Sequence, residues 1–348
     1  MPSLLTSAVT RFAAGVDDFI YKTALSRGER SRKASPAESL GHAARMDALA
    51  AIRDAYAHRG DEVLFPVPRP PSPGASLVRR FGRGGEVVDL AWASEFTPLL
   101  PELRERYDAR RANRRATARL FGVPGAGRPA VIVIHGYLGG QVVFEERFWP
   151  LRALLRRGLD VALAVLPGHG VRRDSPRERP FFPGSDPRLT VEGFRQSIVD
   201  LRALMAILAA RGAPRVGVMG MSLGGYTAAL LATLEPSLAF AIPVVPLASI
   251  ADFARDGNRL VGLADEQIAQ HRALEAAHAV VSPLARPPAI ASDRIAIVAG
   301  EADRITPLAH ADKLAAHLGA HRLVFPGAHL VQAGRAPVLA RALDLVKA

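Results

Sequence analysis

The sequence contains no cysteine, and among its 45 basic residues only four are Lys: Lys22, Lys33, Lys313 and Lys347. The first absence excludes disulfides, a thiolate nucleophile and thiolate metal sites. The second leaves 41 Arg beside abundant Ala, Gly and Pro, the bias of a GC-rich genome, so the net charge of +12 says little about an anionic partner. Zinc-finger spacing and basic strands interleaved with aromatics are missing as well, and no nucleic-acid partner is expected. No run approaches the roughly 18 uninterrupted apolar residues of a spanning helix. The N-terminus has no basic start and reaches Asp17 and Asp18 before any long apolar stretch. It makes a poor signal peptide, and a cytoplasmic protein is expected.

Across 348 residues, 49% are hydrophobic and 22% charged, the balance of a packed globular protein. Residues 1 to about 60 read as helical, with breaks near Arg27-Gly28 and Ser35-Pro36. Pro66, Pro68, Pro70, Pro71, Pro73 and Gly74 then impose an irregular connection. From about residue 85 the pattern alternates between strands and helices. Strands are expected at 86–92, 116–121, 130–135, 160–166, 215–220, 239–245, 295–299 and 322–325. Helices are expected at 148–157, 190–211, 223–234, 307–318 and 330–346. The run Ala-Val-Ile-Val-Ile-His at 130–135 is apolar throughout, as in a strand covered on both faces. Such alternation implies an α/β protein with a mostly parallel sheet.

The segment Gly220-Met221-Ser222-Leu223-Gly224-Gly225 follows one of these strands and opens an Ala/Leu-rich helix. A Gly-x-Ser-x-Gly stretch at a strand-to-helix turn forces the serine into a strained conformation that lifts its hydroxyl into the open. Gly220 and Gly224 are required there because side chains would collide with neighbouring backbone. The hydroxyl then faces the positive end of the helix, where a developing oxyanion gains from the dipole.

This elbow resembles that of the α/β-hydrolase superfamily, and the resemblance runs from about residue 85 to the end. The Gly-Met-Ser-Leu-Gly-Gly sequence is similar to elbows of the dienelactone-hydrolase and prolyl-oligopeptidase-like branches and of uncharacterised bacterial esterase-like proteins. The resemblance implies an eight-stranded, mostly parallel sheet flanked by helices and a catalytic triad. Ser222 falls on the nucleophile. Asp303, in the loop Gly300-Glu301-Ala302-Asp303, falls on the acid, and His329, in Gly327-Ala328-His329, falls on the base. Ser, Asp and His occur in the order this fold uses. The amide of Tyr137, in His135-Gly136-Tyr137-Leu138-Gly139-Gly140, pairs with that of Leu223 as the oxyanion hole, and His135 is expected to brace that loop. Leu166-Pro167-Gly168-His169-Gly170 is similar to a turn that lines one wall of the site, although Ala164, Val165 and Leu166 replace the Asp that many relatives carry nearby.

The domain organisation expected is a helical appendage with its Pro-rich connection at 1–75 and a catalytic domain at 76–348, with an inserted helical lid at 248–292. Lid residues Leu260, Val261, Leu263, Ile268, Leu274 and Val280 either line an apolar acyl pocket or pack the lid onto the body. Leu138, Met221, His169 and Leu263 are the expected substrate contacts. The reaction implied is hydrolysis of a small-molecule ester or lipid-like substrate, with thioester or amide as variants, through an acyl-serine and with neither metal nor organic cofactor. Two alternatives stay open: an acyltransferase on the same fold, and a binding module whose basic N-terminus docks a partner or an anionic membrane. Outside the site, Arg172, Arg173, Arg177 and Arg179 read as a solvated loop. His271 and His278 share a helix face without a third ligand. Glu145 and Glu146 read as acidic residues ahead of a helix, serving its dipole.

Overall fold

The computed structural model describes Thr10, Ala14, Gly15, Asp17, residues 41–82 and residues 84–346. The expected helical breaks near residues 27 and 35 lie outside the described residues.

One nine-stranded sheet organises the chain. Its strands are β1 (Gly74–Phe81), β2 (Gly85–Ala93), β3 (Arg115–Gly122), β4 (Ala130–Ile134), β5 (Asp160–Val165), β6 (Val216–Met221), β7 (Ala241–Val244), β8 (Ala296–Gly300) and β9 (His321–Phe325). Their order across the sheet is β1-β2-β3-β5-β4-β6-β7-β8-β9. The first three pair antiparallel, and β3 meets β5 antiparallel. Every pairing from β5 to β9 is parallel.

The extra strand relative to the eight expected is β1, an edge strand whose residues are nearly all exposed. Pairing on one side only, with both faces solvated, leaves no hydrophobic alternation for a sequence reading to detect. Because β1 starts at Gly74, a boundary between residues 75 and 76 falls inside a strand. The central strands are legible for the opposite reason. All five residues of β4 are buried, matching their uninterrupted apolar run.

The helices include α1 (His42–Tyr56), α2 (Asp61–Leu64), α3 (Arg104–Asp108), α4 (Val142–Phe148), α5 (Leu151–Arg156), α6 (Pro187–Ala210), α7 (Leu223–Ala232), α8 (Ile250–Asp256), α9 (Ala264–His278), α10 (Leu308–Leu318) and α11 (Arg335–Leu345). Among the described residues none is long and apolar enough to cross a membrane. The helix that starts latest against expectation is α11, because Gly334, at φ 78°, delays it beyond Leu330.

Residues ahead of the sheet share its core. Leu49, Ile52 and Tyr56 of α1, with Leu64 and Phe65, belong to the same apolar cluster as β4 and α6. The Tyr56 hydroxyl donates to Glu192 at 2.7 Å, and the Arg195 guanidinium donates to the Leu64 carbonyl at 2.8 Å. Glu192 and Arg195 form an ion pair within α6, both buried. Removing either partner would strand a charge in the core, so this contact fixes how the N-terminal helices seat. Between β7 and β8 stand α8 and α9, the insertion expected there, and Arg45 of α1 donates to Gln270 of α9 at 3.0 Å.

Candidate active site

At the end of β6, Ser222 takes φ 57° and ψ −114°, a region that non-glycine residues rarely occupy. It heads α7, where serine ordinarily caps the free amides, yet its side chain makes no capping bond. The turn is tight enough to demand both glycines. A Cβ on Gly220 would run into the Gly224 carbonyl, and one on Gly224 into the carbonyls of Ile134 and His135. The hydroxyl is therefore displayed rather than consumed.

The loop after β4 lies directly against this elbow. A Cβ on Gly136 would stand 3.6 Å from that of Ser222. A turn closed by Gly139 N–H on the Gly136 carbonyl at 3.0 Å holds Leu138 at φ 65°. Glu145 of α4 fixes the far end, accepting from Gly140 N–H at 3.0 Å and from the Trp149 indole at 3.2 Å. Its side chain braces the loop, which differs from the dipole role expected, and Glu146 pairs with Arg79 and Arg119. His135 is buried and neutral, its pKa lowered by desolvation. Its Nδ1 donates to the Gly136 carbonyl at 2.7 Å, so Nε2 is free to accept from Leu166 N–H at 3.0 Å. The amides of Tyr137 and Leu223 find no acceptor in the protein among the described residues.

The Asp303–His329 corner forms at the ends of β8 and β9. His329 Nδ1 meets Asp303 Oδ2 at 2.8 Å, both residues buried. Asp303 is locked by its own loop, with Oδ1 accepting from Ile305 N–H at 2.9 Å and Thr306 N–H at 2.7 Å. The Thr306 hydroxyl lies 3.0 Å from each of Asp303 Oδ2, His329 Nδ1 and the Val245 carbonyl. It donates to one of the two oxygens while its lone pairs face the imidazole N–H. Val245 presents that carbonyl from φ 40°, a strained conformation for a β-branched residue. One residue earlier, the Val244 carbonyl accepts from Ser222 N–H at 2.9 Å. Val244, the last residue of β7, thus touches the elbow, and Val245, just beyond it, the Asp303–His329 corner. Among the described residues no hydrogen bond joins Ser222 to His329, as is common before a substrate tightens a site.

Sequence comparison matches residues 129–242 to the model of the α/β hydrolase fold. Two uncharacterised proteins of Mycobacterium tuberculosis, from strains CDC 1551 / Oshkosh and ATCC 25618 / H37Rv, are each 34% identical to the chain over 245 residues, covering 68% of it. The chain spans 58% of the length of these curated relatives. Among solved structures, acetyl xylan esterase 1 from Thermoanaerobacterium sp. JW/SL YS485 superposes with a TM-score of 0.55 at 17% identity, covering 86% of this chain and 92% of that one. A cold-adapted esterase from an Arctic intertidal metagenomic library reaches a TM-score of 0.51 at 16% identity, over 79% of this chain and 97% of its own. The chain belongs to the α/β-hydrolase superfamily.

In this α/β hydrolase the other expected site residues part company. Leu138 is exposed on the loop after β4, and Met221 is half-buried beside Ser222. His169, expected to touch substrate, is fully buried: its ring packs against His135, Tyr137 and Phe182 at centroid distances of 5.1, 5.9 and 6.0 Å. It supports the Tyr137 loop from beneath. Leu263 is 77% exposed at the head of α9, and Val261 and Ile268 are exposed too, whereas Leu274 and Val280 pack onto the core. Arg172 departs furthest from expectation, because it is buried and donates to Asp200 at 2.7 Å and to the Asn113 carbonyl at 2.9 Å. His271 and His278 separate: the first meets Asp252 at 2.9 Å, the second its own helix carbonyl at Leu274. The donors of Asp252, His271 and Glu275 lie within 4.8 Å of one another, with Lys313 Nζ already 2.7 Å from Asp252. That cluster is an ion-pair network. A surface cavity lined by Gly122, Arg128, Asp160 and Arg211 lies at the opposite, amino edge of the parallel strands and contains none of the candidate residues.

Proposed function

We propose that this α/β hydrolase is a serine hydrolase that cleaves a carboxylic ester through an acyl-Ser222 intermediate. The observation that carries the reading is the strained, uncapped Ser222 at the head of α7. Strain of this kind is retained where it serves a site. The buried Asp303–His329 pair and the two unengaged amides of Tyr137 and Leu223 support it.

In this mechanism His329 Nε2 takes the Ser222 proton as Oγ attacks the ester carbonyl carbon. The C=O electron pair moves onto oxygen, which the Tyr137 and Leu223 amides receive. Two such donors lower the barrier by several kcal/mol, about 3 each from loss-of-donor measurements. Asp303 holds the Nδ1–H tautomer and stabilises the imidazolium. Collapse breaks the ester C–O bond and the leaving alcohol takes the proton from His329. Water then repeats the cycle on the acyl-serine, giving the acid and free Ser222.

The insertion between β7 and β8 is read as a lid, because it leaves β7 at the carboxyl edge of the sheet, the edge at which Ser222 follows β6, before returning to the start of β8. The exposure of Val261, Leu263 and Ile268 fits an apolar face turned to substrate, while Leu274 and Val280 anchor the segment. The test is labelling of the purified protein by a fluorophosphonate, with p-nitrophenyl acetate as the first substrate since structural neighbours are named acetyl xylan esterases. Labelling that disappears in Ser222→Ala is expected; labelling that persists removes Ser222 as nucleophile.

A further inference from the structure

The base loop is held from an unexpected quarter. Asp17, near the start of the chain, is wholly buried against it. His329 N–H donates to Asp17 Oδ2 at 2.7 Å and Leu330 N–H donates to Oδ1 at 3.0 Å. One carboxylate therefore takes two successive amides, each oxygen engaged once. Two more contacts come from the same segment: the Thr10 hydroxyl donates to the Pro326 carbonyl at 2.9 Å, and Ala14 packs with Ala302, Ala328 and Val331. Thr10, Ala14 and Asp17 each have helical backbone, and all three meet residues 326–331, the turn that carries His329.

We infer that Asp17 is a positioning residue for catalysis: its carboxylate fixes the main chain of His329, so that the N-terminal segment completes the active site. The inference rests on His329 being the base. Its reasoning is geometric. The amide of His329 lies two bonds from the carbon bearing the imidazole, so a hydrogen bond there sets where the ring starts. Asp303 and Thr306 then set where it points. A displacement of about 1 Å at a reacting group costs on the order of a hundredfold in rate. The Asp17 carboxylate also adds a second negative charge near the imidazole. Burial, the largest influence, raises its pKa above the usual carboxylate range and the nearby Asp303 adds to the rise, while its two amide bonds and His329 oppose it.

The test uses the full chain and two readouts. Hydrogen exchange across residues 326–331 reports the tie itself and owes nothing to the chemistry. Slow exchange of the His329 and Leu330 amides is expected in the wild type, and fast exchange there overturns the inference before any variant is made. Asp17→Asn keeps the shape but loses one acceptor and the charge. Its amides should exchange faster, and its rates of acetyl-ester turnover and fluorophosphonate labelling should fall by about tenfold to a hundredfold, with KM changed by less than about twofold. In Asp17→Ala, formate should restore part of the lost rate by accepting the same two amides. Faster exchange with unaltered kcat reduces Asp17 to a tether and overturns the positioning role. If the wild type instead shows no Ser222-dependent labelling, the hydrolase reading fails and the catalytic role of Asp17 falls with it, while slow exchange still records the tie.

Discussion

The two halves of the candidate site are built in contrasting ways. The elbow is local: Gly220, Ser222 and Gly224 lie within five residues, and the turn they form is dictated by backbone crowding. The Asp303–His329 corner is assembled from four separate stretches, contributing Asp17, Val245, Asp303 with Thr306, and His329. The difference teaches where a site can be broken. A local motif fails through one clash, whereas an assembled corner fails by degrees as each support is withdrawn.

The largest effect expected is at the elbow. Ser222→Ala should abolish turnover, by at least about a thousandfold, while circular dichroism and the unfolding midpoint stay at wild-type values. Residual turnover above that bound would place the chemistry elsewhere. Gly224→Ala tests the local clash without touching the hydroxyl. Its Cβ meets the carbonyls of Ile134 and His135, so a loss of about 2–4 kcal/mol is expected in urea unfolding. A neutral outcome would mean the turn is looser than described.

At the corner the effects should be graded. Thr306→Val removes a hydroxyl bonded within the Asp303–His329–Val245 group and should lower kcat by about tenfold at a stability cost of about 1–2 kcal/mol, with Thr306→Ser close to wild type. Equal loss in both variants would show that the methyl group, not the hydroxyl, matters.

Acid should weaken the fold through its buried histidines. His135, His169 and His278 are held neutral by desolvation, His278 with its pKa lowered to about 4. The unfolded chain binds these protons near pH 6.5, so stability is complete above that value and falls as the pH drops toward 4. His278 alone accounts for about 3 kcal/mol across the window. Urea midpoints measured between pH 7 and 4 should be flatter in His278→Gln, and parallel curves would remove His278 as a source. The smallest effect lies at the lid, where Leu263→Trp should shift the preferred p-nitrophenyl ester chain length and leave stability within about 0.5 kcal/mol. An unchanged preference would take Leu263 out of the acyl pocket.

Legibility in the sequence followed the same division. The elbow, β4 and the alternation of strands and helices are written in neighbouring residues, so pattern and steric argument reach them. Asp303 and His329 were reached through family resemblance, and the structure brings them to 2.8 Å. Thr306 sat in plain view three residues beyond Asp303, but a Thr before a Pro reads as an ordinary helix start until its three partners are known. Arg172 misled because charge in a charged loop looks solvated, and only the buried Asp200 opposite explains it. Asp17 carried no signal in the sequence that pointed to the site. Its partners are backbone amides, which leave no mark on side-chain pattern.

The tie between Asp17 and His329 spans 312 residues of chain. On the ribosome the carboxylate is therefore made long before the amides it receives. Domains generally fold as units during synthesis, yet this contact cannot close until the last strand and its turn have emerged. A nascent chain can already display the Ser222 elbow, but His329 is not yet seated by Asp17. On the proposed mechanism turnover therefore waits until the turn at 326–331 has emerged and met Asp17.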